Sequence, residues 1–302
     1  MATSRGLISG ASQYFSGLKL LTKVYLSFFV GLAGLVLFIN ESYLYDSASI
    51  SPVDFEYPDS YLTVCAPSIG RVADHAPLKS PDLISYTVTT PGNYRSDFGH
   101  ALLVVWAPSG FSEMMSERFT GLTRAATERG FVVVHVDSIG LSISNLASLG
   151  RIPDAVTKQW CIEPSLVFYT GHSDGGTVSN ALAVMSDQRL YPRAIGPSAM
   201  GMQGLDMTAF ACPDPTAVML MHNQNDSHFP GFGELVAAWW ADCNQCSKTT
   251  AVTNNRGCRQ YTGCAAQAPT VFCELPGNHS YWPGRAVDLI GFFSEVVEAS
   301  RH

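Results

Sequence analysis

The stretch Ser165–Met185, SLVFYTGHSDGGTVSNALAVM, joins an apolar run to a glycine-rich turn and then to a helix-like run. Its centre fits the pattern G-x-S-x-G, with Ser173 between Gly171 and Gly175. In this motif small residues let a strand and a helix approach closely, and the sharp turn between them exposes the serine hydroxyl. Five residues with three fixed are a weak signal alone, but the flanking runs supply the required context. The stretch therefore predicts a nucleophilic serine at the carboxyl end of a strand.

Short apolar runs recur along the chain from about residue 84 onwards, and helical patterns separate most of them. The runs are ISYTVTT (84–90), ALLVVWA (101–107), FVVVHVD (131–137), SLVFYTG (165–171), RAIGPSAM (193–200), TAVMLMHN (216–223) and PTVFCELP (269–276). Several are almost continuously apolar, as expected for strands covered on both faces. The alternation predicts an α/β fold with a mostly parallel, doubly wound sheet flanked by helices. Ligand sites in such sheets gather at the carboxyl ends of the strands.

A serine hydroxyl becomes an effective nucleophile when a neighbouring base takes its proton. In this architecture the order along the chain is serine, then an acid, then histidine. His279 lies in a Gly/Pro-punctuated loop after the last strand-like run, and Asp226 ends the polar turn after TAVMLMHN. The other histidines after Ser173 flank the candidate acid or end the chain. We therefore predict Ser173 as the nucleophile, His279 as the base and Asp226 as the acid that orients it.

Acyl transfer also needs backbone donors for the developing oxyanion. One is expected at the N–H of Asp174, which directly follows the candidate nucleophile, and the other in the loop after ALLVVWA. Gly110 and Phe111 are the alternatives in that loop, and the residues do not choose between them. Ser109 and Trp282 lie on loops at carboxyl ends and are candidates for substrate binding. This chemistry requires neither a metal nor a cofactor.

The N-terminal part of the chain differs in kind from the rest. Residues 24–39, VYLSFFVGLAGLVLFI, carry no charge, basic residues precede them and acidic residues follow them. This asymmetry predicts export of the following chain. The run is short for a spanning helix, which needs roughly 20 residues, unless residues 18–21 extend it. A cleaved signal peptide is the alternative, but the long n-region and the lack of a clean A-x-A site favour an uncleaved anchor.

We therefore expect three parts. Residues 1–45 form a cytoplasmic stub and a membrane anchor or signal segment, 46–82 a linker and irregular lead-in, and 83–302 the catalytic domain. The catalytic domain is then extracytoplasmic, held at the membrane or secreted if the segment is cleaved. The net charge of −7, with no block of Lys or Arg, argues against nucleic acid as a partner. The oligomeric state is open.

Eight cysteines lie behind the export segment, most of them in the final third of the chain. An even count in an exported protein favours disulfides. CNQC (243–246) lacks the βαβ setting of a redox motif, and the cluster lacks a second C-x-x-C pair for zinc. We predict a disulfide-rich C-terminal third with the pairing left open, and the candidates are Cys65, Cys161, Cys212, Cys243, Cys246, Cys258, Cys264 and Cys273.

Three segments, YTGHSDGG, MHNQND and GNHSYWPG, resemble those that carry the nucleophile, acid and base in the α/β-hydrolase superfamily. The closest resemblance is to its branch of secreted polyhydroxybutyrate depolymerase-like and feruloyl-esterase-like serine esterases. It covers about residue 84 to the C-terminus and implies an α/β-hydrolase fold with Ser173, Asp226 and His279 as the triad. The chain departs from the branch at Ser109-Gly110, where a His-Gly pair is usual, and at Asn223, where glycine is usual.

The residues and the resemblance together predict a serine hydrolase that cleaves carboxylic esters through an acyl-enzyme intermediate. Polyesters, feruloyl-type esters and other small esters all remain open as substrates. A serine peptidase on the same fold is one alternative. A catalytically inactive, membrane-tethered binding protein is another, although all three candidate triad residues are present.

Overall fold

The computed structural model describes residues 49–58, 65, 70–185, 190–252, 257–265, 267–283 and 286–301. The predicted anchor or signal segment at residues 24–39 lies outside these ranges and stays a prediction. Among the helices in the described ranges, none has the length and apolarity that crossing a bilayer requires.

A mixed sheet of ten strands forms the centre of the described domain. Its strands are β1 (Ala76–Lys79), β2 (Ser85–Thr89), β3 (His100–Trp106), β4 (Val132–Val136), β5 (Ile162–His172), β6 (Ala194–Ser198), β7 (Ala217–Asn223), β8 (Thr250–Val252), β9 (Cys258–Tyr261) and β10 (Thr270–Leu275). Their spatial order is β1-β2-β4-β3-β5-β6-β7-β10-β9-β8. The six strands from β4 to β10 in this order are parallel, and antiparallel strands complete both edges.

The sheet separates two apolar cores, which explains the continuous hydrophobicity of its strands. In β3, Leu102, Val104 and Trp106 belong to one core, and Leu103 and Val105 belong to the other. All seven residues of β3 are buried. Strands covered on both faces need apolar side chains at every position. The predicted mostly parallel, doubly wound sheet is confirmed.

Eight helices are found in the described ranges. They are α1 (Glu113–Thr120), α2 (Thr123–Thr127), α3 (Ile143–Leu149), α4 (Ile152–Thr157), α5 (Asp174–Val184), α6 (Gly204–Met207), α7 (Phe232–Cys243) and α8 (Ala286–Arg301). The core that contains Val104 includes residues of α5 and α7, and the core that contains Val105 includes residues of α8. Helices therefore cover both faces of the sheet.

The helical pattern SERFTGLTRAATERG (116–130) is broken into α1 and α2. Gly121 adopts a left-handed conformation with φ of 60°, and its N–H donates to the carbonyl of Glu117. Strand β1, with only four residues, lies inside the segment 46–82 that we expected to be an irregular lead-in. It is recognised by its antiparallel pairing with β2, since its sequence APLK is too short to show alternation.

All eight cysteines lie in the described ranges and form four disulfides, with no free thiol among them. The predicted disulfide-rich C-terminal third is confirmed. Cys243 and Cys246 bond to different partners, so CNQC is not a redox pair. Disulfides persist in oxidising compartments, so this domain matures outside the reducing cytosol. The pairs are Cys65–Cys161, Cys212–Cys243, Cys246–Cys264 and Cys258–Cys273.

An ion pair next to β1 should make stability depend on pH. The Nε2 of His75 lies 2.9 Å from Oε2 of the buried Glu117. The bond to Glu117 raises the pKa of His75 from 6.5 to about 9, against desolvation, and Asp74 also contributes. A group whose pKa is higher in the folded state stabilises the fold fully at pH values below its unfolded-state pKa. This stabilisation is lost as the pH rises through its folded-state pKa. We therefore expect the thermal midpoint to decrease as the pH rises from 6.5 to 9.

Thermal melts followed by circular dichroism across this pH range test the ion pair. The variant His75→Gln removes the titrating group and should flatten the decline. An equal decline in wild type and variant would assign the pH dependence to other groups.

Candidate active site

Ser173 occupies the turn between β5 and α5 in a conformation that non-glycine residues rarely adopt. Its φ is 55° and its ψ is −118°, outside the regions open to most L-residues. The backbone N–H of Ser173 donates to the carbonyl of Ser198 at the end of β6, at 2.9 Å. Such strain persists when the surrounding structure fixes it, and it clusters at functional sites. The turn has the geometry predicted for G-x-S-x-G.

Two glycines of the motif are required by close approach of the backbone. A Cβ atom at Gly175 would lie 2.0 Å from the carbonyl oxygen of Trp106, and one at Gly171 would lie 2.5 Å from the same atom. The glycines therefore let α5 begin directly against the end of β3. This contact brings the loop after β3 next to Ser173.

Gly175→Ala is expected to destabilise the domain by about 3 kcal/mol, the upper end of the usual range for overpacking, because its methyl group would overlap rigid backbone. Soluble yield and the thermal midpoint measure this effect. Gly140→Ala is the matched control, since nothing lies within 4 Å of a Cβ at Gly140. Similar midpoints for the two variants would show that β3 and α5 are not tightly packed here.

The three predicted residues Ser173, His279 and Asp226 form one hydrogen-bonded array. The Oγ of Ser173 lies 2.9 Å from Nε2 of His279. On the other side of the ring, Nδ1 of His279 lies 2.8 Å from Oδ2 of Asp226. The imidazole thus connects the hydroxyl to a carboxylate that is fully buried. Distances of this size permit proton transfer between the groups.

The carboxylate of Asp226 is held from two sides. Its Oδ1 accepts the backbone N–H groups of His228 at 2.9 Å and Phe229 at 3.0 Å. Burial opposes its ionisation, but the hydrogen bonds from His279 and Phe229 and the nearby histidines outweigh this and lower the pKa of Asp226. Asp226 is therefore an anion beside His279 at neutral pH.

His172 holds the backbone of His279 through a hydrogen bond that the sequence did not reveal. Its Nε2 lies 2.6 Å from the carbonyl oxygen of His279, and its Nδ1 lies 3.1 Å from Oγ of Ser198. Burial lowers the pKa of His172 to about 4. The neutral ring donates from Nε2 to the carbonyl and accepts the hydroxyl of Ser198 at Nδ1. The only signal in the sequence was a titratable residue beside the nucleophile.

The candidate oxyanion donors belong to two segments, the start of α5 and the loop after β3. Asp174 is the first residue of α5, so its N–H has no acceptor within the helix. In the loop after β3, the N–H of Phe111 donates to the carbonyl of Pro108 at 3.0 Å. Gly110 is exposed and has a φ of 76°. Ser109, also exposed, precedes it.

Trp282 does not line an open surface, contrary to its prediction as a substrate-binding residue. Only 1% of it is exposed. Its ring packs 6.1 Å from His172 and 6.3 Å from Phe119, measured between centroids. A loop position at a carboxyl end did not fix the direction of the side chain. Trp282 supports the base loop from inside the domain.

His228 and Phe229 surround the imidazole of His279. The rings of His228 and His279 stack with centroids 4.6 Å apart, and Phe229 meets His279 edge-on at 5.0 Å. Ligand atoms of Asp226, His228 and His279 all lie within 4.8 Å of one another, close enough for one cation. However, Asp226 and His279 are hydrogen-bonded to each other. The rings of His228 and His279 are stacked, so the lone pairs in their two planes do not point to one common cation position. The array explains these contacts without a metal.

Comparisons with known proteins agree with this architecture. No model of a known protein family matches the chain. Feruloyl esterase D of Neurospora crassa is 24% identical over 219 residues, covering 65% of this chain and 73% of that protein. Acetyl xylan esterase from Aspergillus awamori superposes with a TM-score of 0.54 at 13% identity, over 74% of this chain and 99% of that one. The chain has an α/β-hydrolase fold.

A second solved structure supports the same fold. S-formylglutathione hydrolase from Staphylococcus aureus superposes with a TM-score of 0.51 at 15% identity, over 75% of this chain and 99% of that one. The predicted resemblance of the chain to feruloyl-esterase-like α/β-hydrolases is confirmed. In this fold the turn after β5 is the expected place of a nucleophile.

Proposed function

We propose that this protein is a serine esterase that hydrolyses carboxylic esters. The observation that carries the proposal is the array from Ser173 Oγ through His279 to Asp226, located at a strained strand-to-helix turn. An activated serine needs a base within hydrogen-bond reach and a third group that orients the base. The similarity to feruloyl esterase D supports an ester as the substrate.

Acylation uses the two sides of the His279 ring. Nε2 of His279 takes the proton of Ser173 as Oγ attacks the ester carbonyl carbon. The same proton then passes to the leaving oxygen, the C–O bond breaks, and the alcohol departs. Asp226 keeps Nδ1 protonated and stabilises the imidazolium while the proton is held. The acyl group remains on Ser173.

Deacylation repeats these steps with water. His279 takes a proton from water as the oxygen attacks the acyl carbon, and the proton returns to Ser173 as the acid leaves. The oxyanion of each tetrahedral intermediate is held by the N–H of Asp174 and by a donor of the loop after β3. We assign that donor to Gly110, because the N–H of Phe111 is engaged by the carbonyl of Pro108. Ser109, exposed on the same loop, contacts the substrate.

The acyl group is of the polyester, feruloyl or small-ester type. Export through residues 24–39 places the domain 83–302 outside the cytoplasm, anchored at the membrane or released by cleavage. The disulfides support this location, since they persist where thiols are oxidised.

A panel of chromogenic substrates tests the proposal against its alternatives. p-Nitrophenyl acetate, butyrate and ferulate are compared with peptide p-nitroanilides, using wild type and Ser173→Ala. We expect wild type to hydrolyse the esters and Ser173→Ala not to hydrolyse them. We expect wild type to hydrolyse the anilides no faster than Ser173→Ala does. Faster cleavage of anilides would indicate a peptidase. Equal rates for both proteins on every substrate would indicate a binding protein.

A further inference from the structure

Strand β7 ends in two buried polar residues, His222 and Asn223, which lie directly before the loop that carries Asp226. Successive side chains of a strand point to opposite faces of the sheet. The two residues therefore serve different surroundings although they are adjacent in sequence.

Asn223 binds the loop that carries His279. Its Nδ2 donates to the carbonyl oxygen of Asn278 at 2.8 Å and to that of Tyr281 at 2.7 Å. These two carbonyls bracket His279 in the chain. The carbonyl of His279 itself is held by Nε2 of His172. The base loop is therefore fixed by side-chain donors before, at and after the base.

His222 binds the loop that carries Asp226. Its Nε2 donates to the carbonyl oxygen of Phe229 at 2.9 Å. The N–H of the same Phe229 donates to Oδ1 of Asp226 at 3.0 Å. Phe229 thus connects His222 to Oδ1 of Asp226, and Nε2 of His222 also lies 3.7 Å from Oδ2 of the same carboxylate. The position of Asp226 therefore depends on a residue at the end of β7, the strand that directly precedes its loop.

Both side chains leave their second polar atom unsatisfied. Oδ1 of Asn223 and Nδ1 of His222 are buried without a hydrogen-bond partner in the described part of the chain. A buried acceptor without a partner is destabilising. Stability alone therefore poorly explains why these two polar residues are buried here. The groups that make contacts are their donors, Nε2 of His222 and Nδ2 of Asn223.

We propose that His222 and Asn223 form a clamp, the β7 clamp, that sets the position of Asp226 and His279 relative to each other. Asn223 fixes the base loop and His222 fixes the acid loop, so both are positioning residues. The inference rests on the proposed function, because the array they position is the proposed triad. Small displacements of such an array are costly for catalysis: about 1 Å can reduce the rate by about 100-fold.

Asn223→Ser tests the clamp, with Asn244→Ser as the matched control. Asn244 is equally buried, and its Nδ2 donates to the carbonyl of Thr216 at 2.7 Å and to Oγ1 of Thr270 at 2.9 Å. These contacts lie at the opposite ends of β7 and β10. We expect Asn223→Ser to lower kcat for p-nitrophenyl butyrate by about 10- to 100-fold with little change in KM. Asn244→Ser should lower only the thermal midpoint.

A second pair of variants separates positioning from folding at His222. Glutamine offers an amide donor near the place of Nε2, whereas leucine offers none. We expect His222→Gln to keep most of the wild-type kcat and His222→Leu to lose it. This pair stands if Asn223→Ser fails to fold.

Proton NMR gives a readout that does not depend on turnover. The downfield resonance of the His279 Nδ1–H in its bond to Asp226 is followed in the Ser173→Ala background. The clamp predicts that this resonance broadens or shifts when Asn223→Ser is added, and that it is unchanged by Asn244→Ser.

The two readouts distinguish failure of the clamp from failure of the proposed function. If the Asn223 and Asn244 variants lose kcat equally, or if the resonance is unchanged by Asn223→Ser, the clamp is wrong. If wild type hydrolyses no ester but Asn223→Ser still alters the resonance, the clamp holds and the esterase proposal fails.

Discussion

Ser173→Ala is expected to lower kcat/KM for carboxylic esters by about 10⁴- to 10⁶-fold. The hydroxyl that lies 2.9 Å from Nε2 of His279 is the proposed site of the acyl-enzyme. Without it, only the oxyanion donors and substrate binding remain to accelerate attack by water. Initial rates on p-nitrophenyl butyrate measure the loss, and circular dichroism verifies that the variant is folded.

Ser179→Ala is the matched control for this experiment. Ser179 is a buried serine on α5, the helix that begins directly after Ser173, and its Oγ has no hydrogen-bond partner in the described ranges. Its replacement should leave kcat/KM unchanged. A Ser173→Ala enzyme that retains wild-type activity within tenfold would remove Ser173 from the mechanism.

Asp226→Asn is expected to lower kcat by about 10³- to 10⁴-fold while leaving the fold intact. The asparagine retains Oδ1, which accepts the N–H groups of His228 and Phe229. Its Nδ2 replaces Oδ2 and presents a donor to Nδ1 of His279. The ring then favours the tautomer with its proton on Nε2, which cannot accept the proton of Ser173.

Asp206→Asn serves as the control for the change of charge. Asp206 is an exposed residue whose Oδ2 accepts the N–H of Gln203 at the start of α6. We expect its kcat to equal that of wild type. If Asp226→Asn keeps full activity over the neutral pH range, the ionised carboxylate is not needed to orient His279.

The sequence was sufficient to predict that Ser173, Asp226 and His279 lie together in one site. The elbow pattern places Ser173, and the topological rule for carboxyl-end loops leaves few positions for Asp226 and His279. Local pattern and chain order carry this information. The structure brings these three residues into contact as expected.

What the sequence did not predict depends on contacts between distant segments. The sequence of β7 does not show that Asn223 donates hydrogen bonds to the carbonyls on either side of His279. The pairing of the cysteines and the strands β1, β8 and β9 are likewise set by neighbours in space. The burial of Trp282 follows from packing against Phe119 and His172, because a loop position leaves side-chain direction open.

The central claim is that Ser173 is the activated nucleophile of a serine esterase, and covalent labelling tests it most directly. Wild type and Ser173→Ala are incubated with a fluorophosphonate, and intact mass and peptide mapping locate the adduct. The account predicts one equivalent bound to Ser173 in wild type and none in the variant. An unlabelled wild type, or equal labelling of both proteins at another residue, would contradict it.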